Sequence, residues 1–144
     1  MSLHYLQLLP GLDLPDISQF KPFRVVVLIE EDVSQEWQPL ASTWLINSGC
    51  LYMMAWGKEC SSWDDSVDFA NGEEFNFEGI PDDKFVMTSW HEDEDLDEVF
   101  FFCKNHAFHP TIELNNTLIV HISADNKEKE ILSLYADTEK LFFS

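Results

Sequence analysis

The chain has 144 residues, 45% of them hydrophobic and 24% charged, which is enough length and apolar content for one folded domain and argues against an intrinsically disordered chain. Eight Lys and Arg against 27 Asp and Glu leave a formal net charge of −19, a field that disfavours nucleic acid and anionic membrane as partners and suits a basic protein, a cation or a metal. No stretch approaches the roughly 18–20 apolar residues that span a bilayer. The opening MSLHYLQLLPGLDLPD lacks a basic n-region and is broken by Pro10 and Gly11, so no signal peptide is expected.

Residues 1–22 hold three of the six prolines and no clear periodicity; the expectation is an N-terminal arm packed on the domain through Leu6, Leu8, Leu9 and Phe20, followed by a single α/β domain over 23–144. Phe23 to Ile29 is a mostly apolar run rich in valine, the signature of a strand buried on both faces. Ser34 then caps a helix with Val33, Trp37, Leu40 and Trp44 on one stripe, in which Pro39 either kinks the helix or delays its start, and Gly49 ends it. Cys50 to Trp56 gives a second strand. Ser61 or Ser62 caps a short helix whose first turn holds Asp64 and Asp65 and whose inner face carries Trp63, Val67 and Ala70.

A polar connection over 72–83 is tacked to the core by Phe75, Phe77 and Ile80, and Lys84 to Trp90 forms strand three. The acidic stretch Glu92 to Glu98 leads into a helix presenting Leu96, Val99, Phe100, Cys103 and Ala107, closed before Pro110. Asn115 and Asn116 mark a turn, Thr117 to Ile122 is strand four, and Asp125 opens a last helix with Glu128, Ile131, Leu132 and Tyr135 on one side. Strict alternation of strand and helix predicts an α/β fold: a small open, mostly parallel four-stranded sheet with helices on both faces, in a Rossmann-like or flavodoxin-like order of elements.

Such sheets bind ligands outside the carboxyl ends of their strands. The segments expected there are Glu30, Glu31 and Asp32; Trp56, Lys58, Cys60, Trp63, Asp64 and Asp65; Ser89, Trp90, His91, Glu92 and Asp93; and Ser123 with Asp125. The turn EEDVS after strand one has no glycine for a phosphate cradle, which argues against dinucleotide binding. Acids at that strand end resemble the magnesium pocket of receiver domains, but strand three ends in Ser89-Trp90-His91 where those domains carry their phosphorylated aspartate.

Cys103, His106 and His109 make C-x-x-H-x-x-H, a zinc-compatible set if the helix ends near His106 and a fourth ligand such as His91 or Cys60 approaches. Against zinc, Cys103 reads as a small core residue, His106 as a partner for the helix dipole and His109 as a loop residue; no cofactor is therefore predicted, with zinc or another divalent cation as the alternative. Cys60 near a helix start, with His91 as base, is a conceivable nucleophilic pair, yet the carboxylates around it oppose a thiolate. Three cysteines make no disulfide framework and predict free thiols in a reducing cytoplasm.

The strings GCLYMMAWGKECSSWDDSVDFAN and TSWHEDEDLDEV resemble segments of an uncharacterised family of small bacterial domains with no assigned activity. The resemblance covers about residues 23–123 and implies a bacterial cytoplasmic origin.

The expectation for function is an acidic protein-binding module, of inhibitor or immunity type, that neutralises a basic partner through Trp56, Trp63, Asp64, Asp65, Trp90, His91, Glu92, Asp93, Glu94 and Asp95. Exposed aromatic rings beside carboxylates suit an arginine-bearing surface. The alternative is a small hydrolytic or metal-dependent enzyme at the same edge, with His91, Asp64, Asp65 and Cys60 as its candidate residues.

Overall fold

The computed structural model describes residues 2–139. Among them lie five strands, β1 (Ser2–Leu8), β2 (Phe23–Ile29), β3 (Cys50–Gly57), β4 (Met87–Trp90) and β5 (Asn116–Ile122), and four α-helices, α1 (Trp37–Asn47), α2 (Cys60–Glu74), α3 (Leu96–His106) and α4 (Glu128–Asp137). The strands form one open, wholly parallel sheet in the order β1-β5-β2-β3-β4.

The sheet thus has five strands where the sequence predicts four. Ser2–Leu8, expected as part of an irregular arm, is an edge strand paired with β5 in register from Ser2 opposite Asn116 to Leu8 opposite Ile122. Six of its seven residues are half-buried, because an edge strand has a neighbour on one side only and each face is incompletely covered. Neither the continuous apolar run of a central strand nor a clean alternation results.

β2 is the opposite case. All seven of its residues are buried, with β5 on one side and β3 on the other. Side-chain direction follows from the contacts: Arg24 reaches the carbonyls of Cys103 and Ala107, and the Tyr52 ring lies edge-on to Phe102 at 6.2 Å. Arg24, Val26, Leu28, Tyr52, Met54 and Trp56 therefore face α3, and the residues between them face α1 and α2.

In α1, Ser34 Oγ accepts the Trp37 N–H at 3.1 Å, and Pro39 falls in the first turn, where a missing N–H costs no helical bond. Pro39 thus sits in a helix whose start is delayed to Trp37, with no kink to explain. The buried stripe is Trp37, Ala41, Leu45 and Ile46, while Leu40 points to solvent. Trp37 and Trp44 donate their indole N–H to the carbonyls of Leu12 and Pro15, pinning the β1–β2 connection across this helix.

Helix α2 departs from the expectation of a short helix capped by Ser61 or Ser62. It begins at Cys60, after Glu59 in a left-handed conformation (φ 49°), and runs for fifteen residues, so that Asp64 and Asp65 lie beyond its first turn. Its inner face is Trp63, Val67 and Ala70, as the periodicity implies. The predicted connection over 72–83 accordingly shrinks, and Phe77 lies exposed against Phe69, their ring centroids 5.2 Å apart. β4 is also shorter than predicted. Helix α3 starts with a reciprocal cap between Asp95 and Glu98.

Helices α1 and α2 pack on each other on one side of the sheet, and α3 and α4 pair on the other. β2 exits toward the first layer and β5 toward the second. Strand order therefore reverses between β2 and β5, which defines the crevice where open α/β sheets place ligands.

Candidate functional site at the carboxyl edge of the sheet

All five strands end at one edge, and two imidazoles are held there by opposite means. His121, the penultimate residue of β5, is fully buried. Its Nδ1 lies 2.6 Å from the Tyr5 hydroxyl, and its Nε2 meets the Glu30 carboxylate. The Lys127 backbone N–H donates to the Tyr5 oxygen at 3.2 Å, so the phenol gives its own proton to Nδ1 and His121 donates from Nε2 to Glu30. Burial, with Glu128 and Glu30 nearby, pushes the Tyr5 pKa up and keeps the phenol a donor. Glu31 accepts the Ala124 N–H at 3.1 Å, joining the segment after β2 to the segment after β5.

This chain of Tyr5, His121 and Glu30 is the element that sequence reasoning missed. Glu30 stood among the expected strand-end acids. His121 lay inside a strand and Tyr5 inside the presumed arm, so nothing in their spacing joined them. The signal available was a histidine in an otherwise apolar strand core, which requires polar partners on both ring nitrogens.

The second imidazole, His91, follows β4 and is also buried. Ser89 Oγ lies 2.9 Å from its Nε2, and Glu94 Oε2 lies 3.0 Å from its Nδ1. With the carboxylate accepting from Nδ1–H, the other nitrogen accepts the Ser89 O–H, giving a hydroxyl–imidazole–carboxylate relay. The turn carrying Glu94 is fixed by the Trp56 indole, which donates to the Glu94 carbonyl at 2.8 Å, and by Asp93 in a left-handed conformation (φ 59°). The His91 ring rests on Phe102 with centroids 4.8 Å apart.

The sequence-predicted residues separate into three groups. Trp90, His91, Glu92, Asp93, Glu94 and Asp95 stay together on the turn between β4 and α3, and Trp90 is 48% exposed. Trp56 is half-buried beneath that turn. Trp63 is only 2% exposed and belongs to the core under α2, so it is no contact residue. Asp64 and Asp65 lie on α2, in the helical layer opposite α3. The nitrogens of His91 are engaged by Ser89 and Glu94, not by Asp64, Asp65 or Cys60.

Cys60 is buried, and desolvation raises its thiol pKa, with Glu92 adding to the rise; the helix start does not yield a thiolate. Cys103 is likewise buried, its thiol 3.7 Å from the Tyr135 hydroxyl. His106 is exposed. His109 is buried, with Nε2 2.7 Å from the Phe85 carbonyl and Nδ1 accepting the N–H groups of Thr111 and Ile112. Each member of the C-x-x-H-x-x-H set thus meets a different environment. Among the described residues no group of three His, Cys, Asp or Glu side chains converges as metal ligands, and no helix is long and apolar enough to cross a membrane.

Beside the acidic turn, α3 and α4 leave a groove of about 570 Å³. Its walls carry Glu94, Asp97, Glu98, Asp137 and Glu139, and Phe101, Phe102 and Leu134 also line it. Glu94 belongs both to this groove and to the turn bearing Trp90, so the two surfaces are continuous. The remaining edge is acidic as well: Glu30, Asp32, Glu59 and Asp125 are all exposed. Lys58, paired to Asp32 at 3.4 Å, offsets little of this because both side chains stand in solvent.

These features define a parallel α/β domain with a carboxylate-lined edge at its topological switch point. The chain belongs to the family described as "Domain of unknown function (DUF7684)", whose model matches residues 3–138. No curated protein and no solved structure matches it.

Proposed function

We propose that this domain is a non-enzymatic acidic module that binds and neutralises a basic protein, in the manner of an inhibitor or immunity protein, in a bacterial cytoplasm. The observation that carries this reading is the α3–α4 groove, in which five carboxylates stand around aromatic and aliphatic side chains and run without a break into the turn of Trp90 and Glu92. An arginine or lysine stem can lie along Phe101 and Phe102 while its charged head meets the acids, combining apolar burial with charge-assisted hydrogen bonds. The net charge of −19 adds long-range attraction that raises the association rate with a basic surface. Three buried free thiols suit a reducing compartment.

The test is capture from a bacterial lysate at low salt, using wild type and the variant Glu92→Lys/Asp97→Asn/Asp137→Lys, whose substitutions are at exposed positions. A basic protein retained by wild type, released by salt and lost by the folded variant supports the reading. Equal retention by both contradicts it.

One observation favours a second reading. The relay of Ser89, His91 and Glu94 has the polarity of a hydrolytic triad, and a fluorophosphonate that labels Ser89 would establish it. The cavities lined by Arg24 and by Lys21, however, open at the opposite edge of the sheet, away from that serine.

A further inference from the structure

At the amino-terminal edge of the sheet the electrostatics invert. Arg24, the second residue of β2, is 4% exposed, in a chain where acids outnumber bases more than threefold. Its Nε donates to Thr117 Oγ1 at 2.8 Å, and its Nη1 donates to the carbonyls of Cys103 and Ala107. No carboxylate pairs with it among the described residues, and its Nη2 donates to no protein acceptor there. The two carbonyls belong to the end of α3, whose partial negative charge of roughly half a unit leaves much of a guanidinium charge uncompensated. No described side-chain nitrogen is both fully buried and unpartnered, so Nη2 reaches a cavity, where an anion could complete its hydrogen bonding.

Arg24 lines a cavity of about 580 Å³, a volume suited to a small organic molecule. Phe108, Ile112, Leu114 and Tyr135 give it apolar walls, and Lys104 adds a second cation. The Lys104 ammonium is itself anchored, donating to the carbonyls of Tyr135 and Thr138 and lying 4.5 Å from the Tyr135 ring centroid. Glu113 also lines the cavity and disfavours a doubly charged anion such as a phosphate monoester.

We propose that this cavity binds a small organic acid: a single carboxylate on the Nη2 edge of Arg24, with an aromatic or alkyl body against Phe108, Ile112 and Leu114. The acidic turn from Glu92 to Asp95, at the opposite edge, does not forbid an anion here. Strands of seven residues separate the two edges by roughly 23 Å, nearly three Debye lengths at physiological ionic strength. The cavity adjoins the end of the groove, where Lys104 donates to the Thr138 carbonyl, but its ligand and its test are separate from those of the basic partner, so either proposal can fail without the other.

Calorimetric titration of the intact chain with 3-phenylpropionate and with octanoate, each against its uncharged amide, tests the proposal. At least one acid should bind saturably at one site, with its amide roughly tenfold weaker or worse. Ile112→Trp, which fills the cavity from its partly exposed wall, should abolish binding, and Arg24→Lys should weaken it while keeping the charge. These two variants avoid the unfolding risk of removing the cation outright. Equal binding of acid and amide, unchanged affinity in Ile112→Trp, or no saturable binding of either acid at millimolar concentration would overturn the proposal.

Discussion

Ser89 and His91 turn to the same face at the end of edge strand β4, so the serine hydroxyl lies 2.9 Å from Nε2 while Glu94 holds Nδ1 at 3.0 Å. The imidazole thereby ties the strand to the acidic turn that follows it. His91→Ala should lower stability by about 1–3 kcal/mol through two lost hydrogen bonds and a vacated site on Phe102, measured by denaturant unfolding. Ser89 should remain unlabelled by a fluorophosphonate in the native protein; stoichiometric labelling would replace the binding reading by the hydrolytic one.

Two tryptophans predicted to act together should part company. Trp63→Ala removes a buried ring and should cost about 3–5 kcal/mol. Trp90→Ala, at a 48% exposed position, should change stability by less than about 0.5 kcal/mol yet weaken binding to a basic partner. Thermal unfolding and a binding assay on the same preparations separate the two effects.

Gly57 ends β3 with φ 107°, and a Cβ there would stand 2.2 Å from the Ile29 carbonyl oxygen. Neither the backbone nor that oxygen can yield, because Ile29 also accepts the Lys58 N–H at 2.8 Å. Gly57→Ala should therefore destabilise the domain by roughly 2–4 kcal/mol, seen as a fall in the denaturant midpoint. A change within about 0.5 kcal/mol would show that this strand end is not tightly packed.

Alkaline pH should loosen the domain through two buried acids. Burial pushes the Cys50 thiol and the Tyr135 phenol each up to about 12, with the neighbouring Cys103 adding to the rise for Tyr135. The native state keeps these protons while the unfolded chain releases them from about pH 8.5 for the thiol and about pH 10 for the phenol. Unfolding then releases protons, so stability is intact below those values and falls as pH rises toward 12, by up to about 1.4 kcal/mol per unit for each group. Thermal midpoints measured from pH 8 upward should decline, and Tyr135→Phe should flatten the decline above pH 10. An identical slope in that variant would contradict the assignment.

The central elements were legible because their burial is two-sided. The valine-rich run from Phe23 to Ile29 reads as a covered strand, and the inner stripes Trp63–Val67–Ala70 and Val99–Phe100–Cys103 follow from helical period. β1 escaped because half-burial on both faces blurs its period. Helix α2 began earlier than its serines suggest because a left-handed Glu59 sets its start, a conformation that residue identity does not announce.

For the site, the acidic turn from Glu92 to Asp95 was readable as a contiguous run. The relay beneath it and the Tyr5–His121–Glu30 chain depend on partners brought together by strand order, with Tyr5 and His121 116 residues apart. Trp63 was assigned both to the inner stripe of its helix and to the contact surface, and its burial is consistent with the stripe alone. Arg24 went unnoticed because the valine-rich run around it reads as apolar; its side chain is a buried cation lining a cavity.

The most direct measurement is the dissociation constant of an arginine-rich amphipathic peptide, followed by fluorescence anisotropy at rising salt, for wild type and for Glu92→Lys/Asp97→Asn/Asp137→Lys. The account predicts saturable binding to wild type that weakens steeply with salt, because screening shortens the reach of the acidic face, and roughly tenfold or greater loss in the variant at low salt. Binding that is equal in both proteins, or indifferent to salt, would contradict the proposal that the α3–α4 groove and its adjoining turn are where a basic partner docks.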